Sequence, residues 1–295
     1  MKSAFAGLAA AAWLAAGAAH AQTAPAAPPS LGAAPLPAPA LAPQQTATLA
    51  LSAVFAGDQK PIRSGLVWRV YEDRADGATT APVLKSAAPN PTITLKPGSY
   101  VIHASYGFAS ASKRVTLNPG SAIDRLTLSA GALQLAGAVA DQAIPTNRLS
   151  FSVFVPIGNN SEGRLVVGNA KAGELIRLPE GTYHVVSTFG ESNAIMRSDL
   201  KVDSGRVTAA TLNHRAATVT LKLVGSEGGE AFAGTAFSVL TPGGDVIREA
   251  IGAYPSLTLA EGDYVLIARH EGQVYTREFK VESGLNRDVE VLAKK

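Results

Sequence analysis

Leu95-Lys96-Pro97-Gly98-Ser99-Tyr100, Leu178-Pro179-Glu180-Gly181-Thr182-Tyr183 and Leu259-Ala260-Glu261-Gly262-Asp263-Tyr264 are one phrase, Leu-x-x-Gly-x-Tyr, written three times. The tyrosines stand 83 and 81 residues apart, and each opens an alternating run: YVIHASYG, YHVVSTFG and YVLIARHEG. Apolar residues at every second position make one face of a strand apolar and the other polar, so each run predicts a half-buried β-strand. Repetition in a fixed phase marks tandem modules built on one plan.

The phase holds outward from each tyrosine. A second alternating strand follows and ends in a turn glycine, RVTLNPG to Gly120, DLKVDSG to Gly205 and EFKVESG to Gly284. Glycine suits turns in which the backbone φ goes positive. Each module opens with an alternating run, ATLALSAV from 47, ALQLAGAV from 132 and ATVTLKLV from 217, and a further strand carries an aromatic in each: Trp68, Phe151 with Phe154, and Phe237. Period-two patterning, frequent turn signals and no amphipathic stretch of helical period predict an all-β protein of three tandem antiparallel β-sandwiches, spanning 46–129, 130–214 and 215–295. The repeat tyrosine is expected to bury its ring at the head of a core strand and to direct its hydroxyl to a backbone acceptor near the preceding turn.

The Leu-x-x-Gly-x-Tyr turn, the alternating strand after it, the short hairpin and the final strand ending in a Gly turn resemble the prealbumin-like or carboxypeptidase-regulatory-like β-sandwich repeats of bacterial surface and envelope proteins. The same features occur in other immunoglobulin-like sandwiches. The resemblance covers residues 46–295 and implies a sandwich of about seven strands with an accessory, adhesive or scaffolding role. The positions it carries over are structural: Leu95, Gly98 and Tyr100, Leu178, Gly181 and Tyr183, and Leu259, Gly262 and Tyr264. It carries over no catalytic residue.

Residues 1–21 read as a cleavable secretory signal: Lys2 supplies the charge, Ala4 to Ala19 the apolar stretch, and Ala19-His20-Ala21 the small-residue cleavage site. Export to the periplasm or beyond is therefore expected, with no membrane-spanning segment after cleavage. Residues 22–45 are Pro and Ala with little else, a composition that favours extended polyproline conformations and reads as a disordered, semi-rigid spacer. The chain has no cysteine, so neither a disulfide nor a lipid-modified cysteine exists.

Charge narrows the partners. The 26 Lys and Arg exceed the 23 Asp and Glu by only three and form no dense basic run, and aromatic residues make up 6% of the chain. Nucleic acid is therefore not an expected partner. The four histidines after the signal, His103, His184, His214 and His270, fall at different phases and at no metal-ligand spacing. Ser110-Ala111-Ser112-Lys113 matches S-x-x-K, but that pair needs a helix to share a face, and here it lies between two strands. Glu72-Asp73-Arg74-Ala75-Asp76-Gly77 gathers carboxylates of the kind that hold calcium, yet an Asp-Gly turn explains the same residues. Asn159-Asn160-Ser161 is a sequon within a run of loop composition. No catalytic, cofactor or metal residue is predicted.

The expected function is thus non-enzymatic: an exported binding or scaffolding protein of the cell envelope whose partner is a protein or a cell-wall or glycan polymer. The alternatives are a passive spacer and an enzyme whose site is assembled from separate loops. The first module's loops, with Trp68, Tyr71 and Tyr106, are the most aromatic and are the expected contact.

Overall fold

The computed structural model describes residues 45–74 and 81–294. The expected signal, the expected spacer up to residue 44 and residues 75–77, where an Asp-Gly turn is expected, lie outside the described residues. Within them, alternation becomes strands almost without interruption. The first set is β1 (Ala47–Phe55), β2 (Leu66–Glu72), β3 (Leu84–Ser86), β4 (Thr92–Leu95), β5 (Gly98–Tyr106), β6 (Ala109–Leu117) and β7 (Gly120–Leu128). The second is β8 (Ala130–Val139), β9 (Gln142–Ala143), β10 (Leu149–Ile157), β11 (Asn160–Ala170), β12 (Leu175–Pro179), β13 (Gly181–Phe189), β14 (Ile195–Val202) and β15 (Val207–Asn213). The third is β16 (Ala216–Val224), β17 (Ala236–Leu240), β18 (Val246–Ile251), β19 (Ser256–Ala260), β20 (Gly262–His270), β21 (Gln273–Val281) and β22 (Arg287–Leu292).

Each set forms the same two sheets. The three-stranded sheets run β4-β1-β7, β12-β8-β15 and β19-β16-β22, and the four-stranded sheets run β3-β2-β5-β6, β11-β10-β13-β14 and β18-β17-β20-β21. The short β9 adds to β8, and isolated bridges Val54 to Pro61 and Val224 to Ala231 mark the same place in the other two sets. Ladders are antiparallel except for one pair per sandwich: β1 with β7, β8 with β15 and β16 with β22 run parallel. The first and last strands of a sandwich thus lie side by side in one direction. Alternation in sequence is blind to that direction, since either neighbour accepts the same in-and-out pattern.

Each pair of sheets encloses one apolar core. The alternating burial of β2 puts Leu66, Trp68 and Val70 inside, and Phe151 and Phe237 take the place of Trp68 in the next two cores. All three aromatics are fully buried, each opposite the residue four beyond the repeat tyrosine. The tyrosines themselves are buried, and their hydroxyls each donate to the carbonyl four residues back: Tyr100 to Lys96, Tyr183 to Pro179 and Tyr264 to Ala260, all at 2.9 Å. Each chain crossing from the three-stranded to the four-stranded sheet is thereby pinned by its own side chain.

Candidate functional site

The sandwiches meet at two joints, and each is built around the close approach of a hairpin glycine. Seven residues after Tyr100 and Tyr183, the hairpins leaving β5 and β13 turn at Gly107 and Gly190, with φ of 63° and 73°. Each tip presses on the residue just before the repeat leucine of the following sandwich. A Cβ on Gly107 would stand 2.5 Å from Arg177 Cβ, and one on Gly190 would stand 2.8 Å from Thr258 Cβ. Only glycine permits that approach.

Polar contacts hold the tips in place. At the first joint the Phe108 amide donates to the Arg177 carbonyl at 3.0 Å, on the outer edge of β12. The Arg177 guanidinium lies 5.2 Å from the Tyr106 ring centroid, and Tyr106 in turn meets the edge of Phe55. At the second joint Arg148 stacks over Phe189 at 4.9 Å and donates to Thr258 Oγ1 at 2.5 Å and Thr218 Oγ1 at 3.2 Å. Asn193 completes it: its Nδ2 donates to the Tyr264 hydroxyl at 2.9 Å and its Oδ1 accepts from the Ala260 amide at 3.0 Å. Arg248 reaches back from β18 to Glu191 at 2.7 Å. Charge-assisted contacts of this type fix orientation more than they add free energy where they are exposed.

The joints leave clefts between the sandwiches. One of about 370 Å3 at the second joint is lined by Arg148, Ser150, Glu191, Ser192, Arg248 and Ser256. A smaller cleft of about 180 Å3, also lined by Arg148, reaches Gln142, Phe189 and Asn286. The first joint has a cleft of about 260 Å3 of different character, with exposed Phe108 and Leu165 beside Val155 and Tyr183. The second-joint cleft therefore offers hydroxyls, two guanidinium groups and one carboxylate, whereas the first sets apolar carbon beside a single guanidinium, that of Arg164.

His214, in the connection between the second and third sandwiches, is buried with its Nε2 2.8 Å from Ser187 Oγ. A serine beside a histidine invites comparison with a nucleophile and its base. Ser187 is fully buried, so no substrate reaches it, and the pair closes the interior beneath Phe189. Burial pushes the His214 pKa down, against a smaller opposing effect from the Ala194 carbonyl. Among the described residues no cluster of three or more His, Asp or Glu is placed to hold a metal.

The aromatic contact expected of the first sandwich changes form. Trp68, Tyr71 and Tyr106 lie on β2 and β5, not in loops. Trp68 is fully buried and presents no surface to a partner, because the alternation of β2 turns it inward. Tyr71 points the opposite way, and Tyr106 is occupied by Phe55 and Arg177. Ser110 and Lys113 occupy alternate faces of β6, and Lys113 is taken by Asp124 at 2.6 Å. Sequence reading passed over Arg148, Arg177, Gly190 and Asn193. A partial signal existed, since glycine recurs seven residues after two of the three repeat tyrosines.

Residues 218–293, most of the third sandwich, match the family model of the Rhizobiales growth-associated tandem repeat domain. No curated protein matches the chain. Among solved structures it is similar to the Bacillus anthracis TIE protein, with 14% identity over 85% of this chain and 50% of that one at a TM-score of 0.24, so the chain spans half that protein's length. It is also similar to the major pilin subunit of Bacillus cereus, with 11% identity over 84% of this chain and 100% of that one at a TM-score of 0.22. The minor pilin of Streptococcus agalactiae is 12% identical over 57% of this chain and 94% of that one, at a TM-score of 0.29.

Proposed function

We propose that this chain is a non-enzymatic, exported binding or scaffolding protein of the cell envelope, in which three sandwiches at 46–129, 130–214 and 215–295 present their joints and outer faces to a protein or cell-wall glycan. The observation that carries the reading is the second-joint cleft, where Arg148, Arg248, Ser150, Ser192 and Ser256 converge across a module boundary. Hydroxyls and guanidinium groups around a shallow cleft suit sugar hydroxyls and carboxylates. The buried Ser187–His214 pair, inaccessible to substrate, supports binding over catalysis. Tyr71, half-buried on the outer face of β2, is the one of the three expected aromatics left to add a contact on the first sandwich. The signal at 1–21 and the spacer at 22–45 would deliver the array and hold it at a distance.

The test is cross-linking in intact cells that express the tagged full chain, followed by capture and mass spectrometry, run beside a chain carrying Ser256→Trp with Arg248→Ala. Loss of the captured protein or glycan in the variant, with unchanged far-ultraviolet circular dichroism, supports the cleft. Equal recovery from both chains overturns it and leaves the spacer reading, under which exchanging one sandwich for another preserves activity.

A further inference from the structure

We infer that the outer edge of β4 is a docking site for the hairpin tip of a similar sandwich on another polypeptide, and that Glu271 prevents the third sandwich of this chain from serving as that tip.

A receiving face has three marks. It has an edge strand whose residue before the repeat leucine takes the tip, as Arg177 and Thr258 do. It has a paired residue on the first strand, as Ala132 opposite Arg177 and Thr218 opposite Thr258. It also has a turn glycine that meets the preceding sandwich: a Cβ on Gly205 would stand 3.3 Å from Phe55 Cβ, and one on Gly284 would stand 3.1 Å from Ala140 Cβ. The first sandwich carries all three. Thr94 stands before Leu95 on β4, which among the described residues pairs only with β1 and forms an edge. Thr48 lies opposite Thr94, reproducing the Thr218–Thr258 pair that accepts from Arg148. Gly120 holds the turn with a φ of 116° and open space around its missing Cβ. Thr92 and Thr94 are exposed. An edge left open among the described residues, with a threonine pair matching that of the second joint, repeats an interface the chain makes internally.

A giving tip also has a pattern: an aromatic followed by glycine, Tyr106-Gly107 and Phe189-Gly190. Both of those tips are occupied within the chain. The third sandwich has His270-Glu271 at these positions, with Glu271 at a φ of 48° and exposed. Docking it as Gly107 and Gly190 dock would drive its Cβ into the opposing strand and bury a carboxylate with no partner. His270 is stacked on Phe232 at 5.3 Å. A second copy of this chain therefore supplies no free tip, and the occupant of β4 is a sandwich whose hairpin ends in aromatic-Gly, the feature both internal tips share.

The absence of native cysteine gives a clean test. The full chain carrying Thr94→Cys with Gln273→Cys is mildly oxidised and run without reductant, in the native background and in backgrounds with Glu271→Gly alone or with His270→Phe and Glu271→Gly. The expected result is monomer in the native background and a ladder of dimers and larger species in at least one opened background. In parallel, cysteine-free chain with His270→Phe and Glu271→Gly at least doubles its mass in sedimentation, and Thr94→Trp returns it to monomer. A ladder in the native background overturns the role of Glu271. Monomer in all three backgrounds overturns β4 as the docking edge.

Discussion

At the scale of the residue, the repeat tyrosine and the buried aromatic do separate work. The Tyr183 hydroxyl makes one hydrogen bond, to Pro179, whereas that of Tyr264 both donates to Ala260 and accepts from Asn193. A net hydrogen bond contributes about 1 kcal/mol. Tyr183→Phe should therefore cost about 1 kcal/mol and Tyr264→Phe about 2 kcal/mol, since Asn193 Nδ2 loses its acceptor as well, as read from urea denaturation. Trp68 fills the first core while its Nε1 finds no acceptor. Trp68→Ala should lower stability by about 3 to 5 kcal/mol, and Trp68→Phe should cost much less, because no indole hydrogen bond is lost. A partner-contact role would show instead as lost binding with unchanged stability. His214 adds a pH dependence of definite sign. Burial holds its folded pKa below the ordinary value of 6.5, so the unfolded chain takes up the proton first. Stability is full above pH 6.5 and falls as pH drops from there toward the folded pKa. Burial and Arg69 shift His103 the same way, so His214→Gln should flatten part of the acid slope. An unchanged slope would remove His214 from the account.

At the scale of the element, the hairpin tip is where local conformation and contact between sandwiches coincide. Gly190 and Gly272 both have positive φ, 73° and 77°, but only Gly190 abuts another sandwich. Gly272→Ala should cost about 1 to 2 kcal/mol, the ordinary penalty for a left-handed residue. Gly190→Ala should add a loss at the joint, seen as faster hydrogen exchange at the Ala260 amide, which Asn193 now protects. Gly131 is sensitive for a different reason: a Cβ there would stand 2.3 Å from the Asp203 carbonyl oxygen, where β8 runs beneath the turn into β15. The glycines were visible as turn signals in the sequence, but their neighbours were not. Alternation located β2 and β5, and the aromatic side chains on them were placed in loops because composition alone does not tell an inward Trp68 from an outward Tyr71.

At the scale of the molecule, the sandwiches are separate in their cores and linked at their surfaces. Arrays of this type gain part of each unit's stability from its neighbours. The second sandwich gives Arg148, Glu191 and Asn193 to the third. A chain ending at Arg215 should therefore unfold its second sandwich at a lower temperature than the full chain, by a few degrees for each 1 kcal/mol of lost contact. Equal melting would mean that the joint holds orientation without adding stability. The charge is also graded, with nine basic and five acidic residues over 46–129 against nine and eleven over 215–295. The opposite ends of the array thus present different electrostatics to any partner.

The sequence by itself determined the all-β class, the threefold phase and the pinned tyrosine, because a period of two and a turn glycine act within a few residues and leave their pattern in the order of the chain. Only the tertiary structure decided the parallel first and last strands, the buried Trp68 and the joints. Arg148 meets Thr258 across 110 residues, and Asn193 meets Tyr264 across 71. Such contacts depend on how two finished sandwiches are set against each other, and no local alternation encodes that placement.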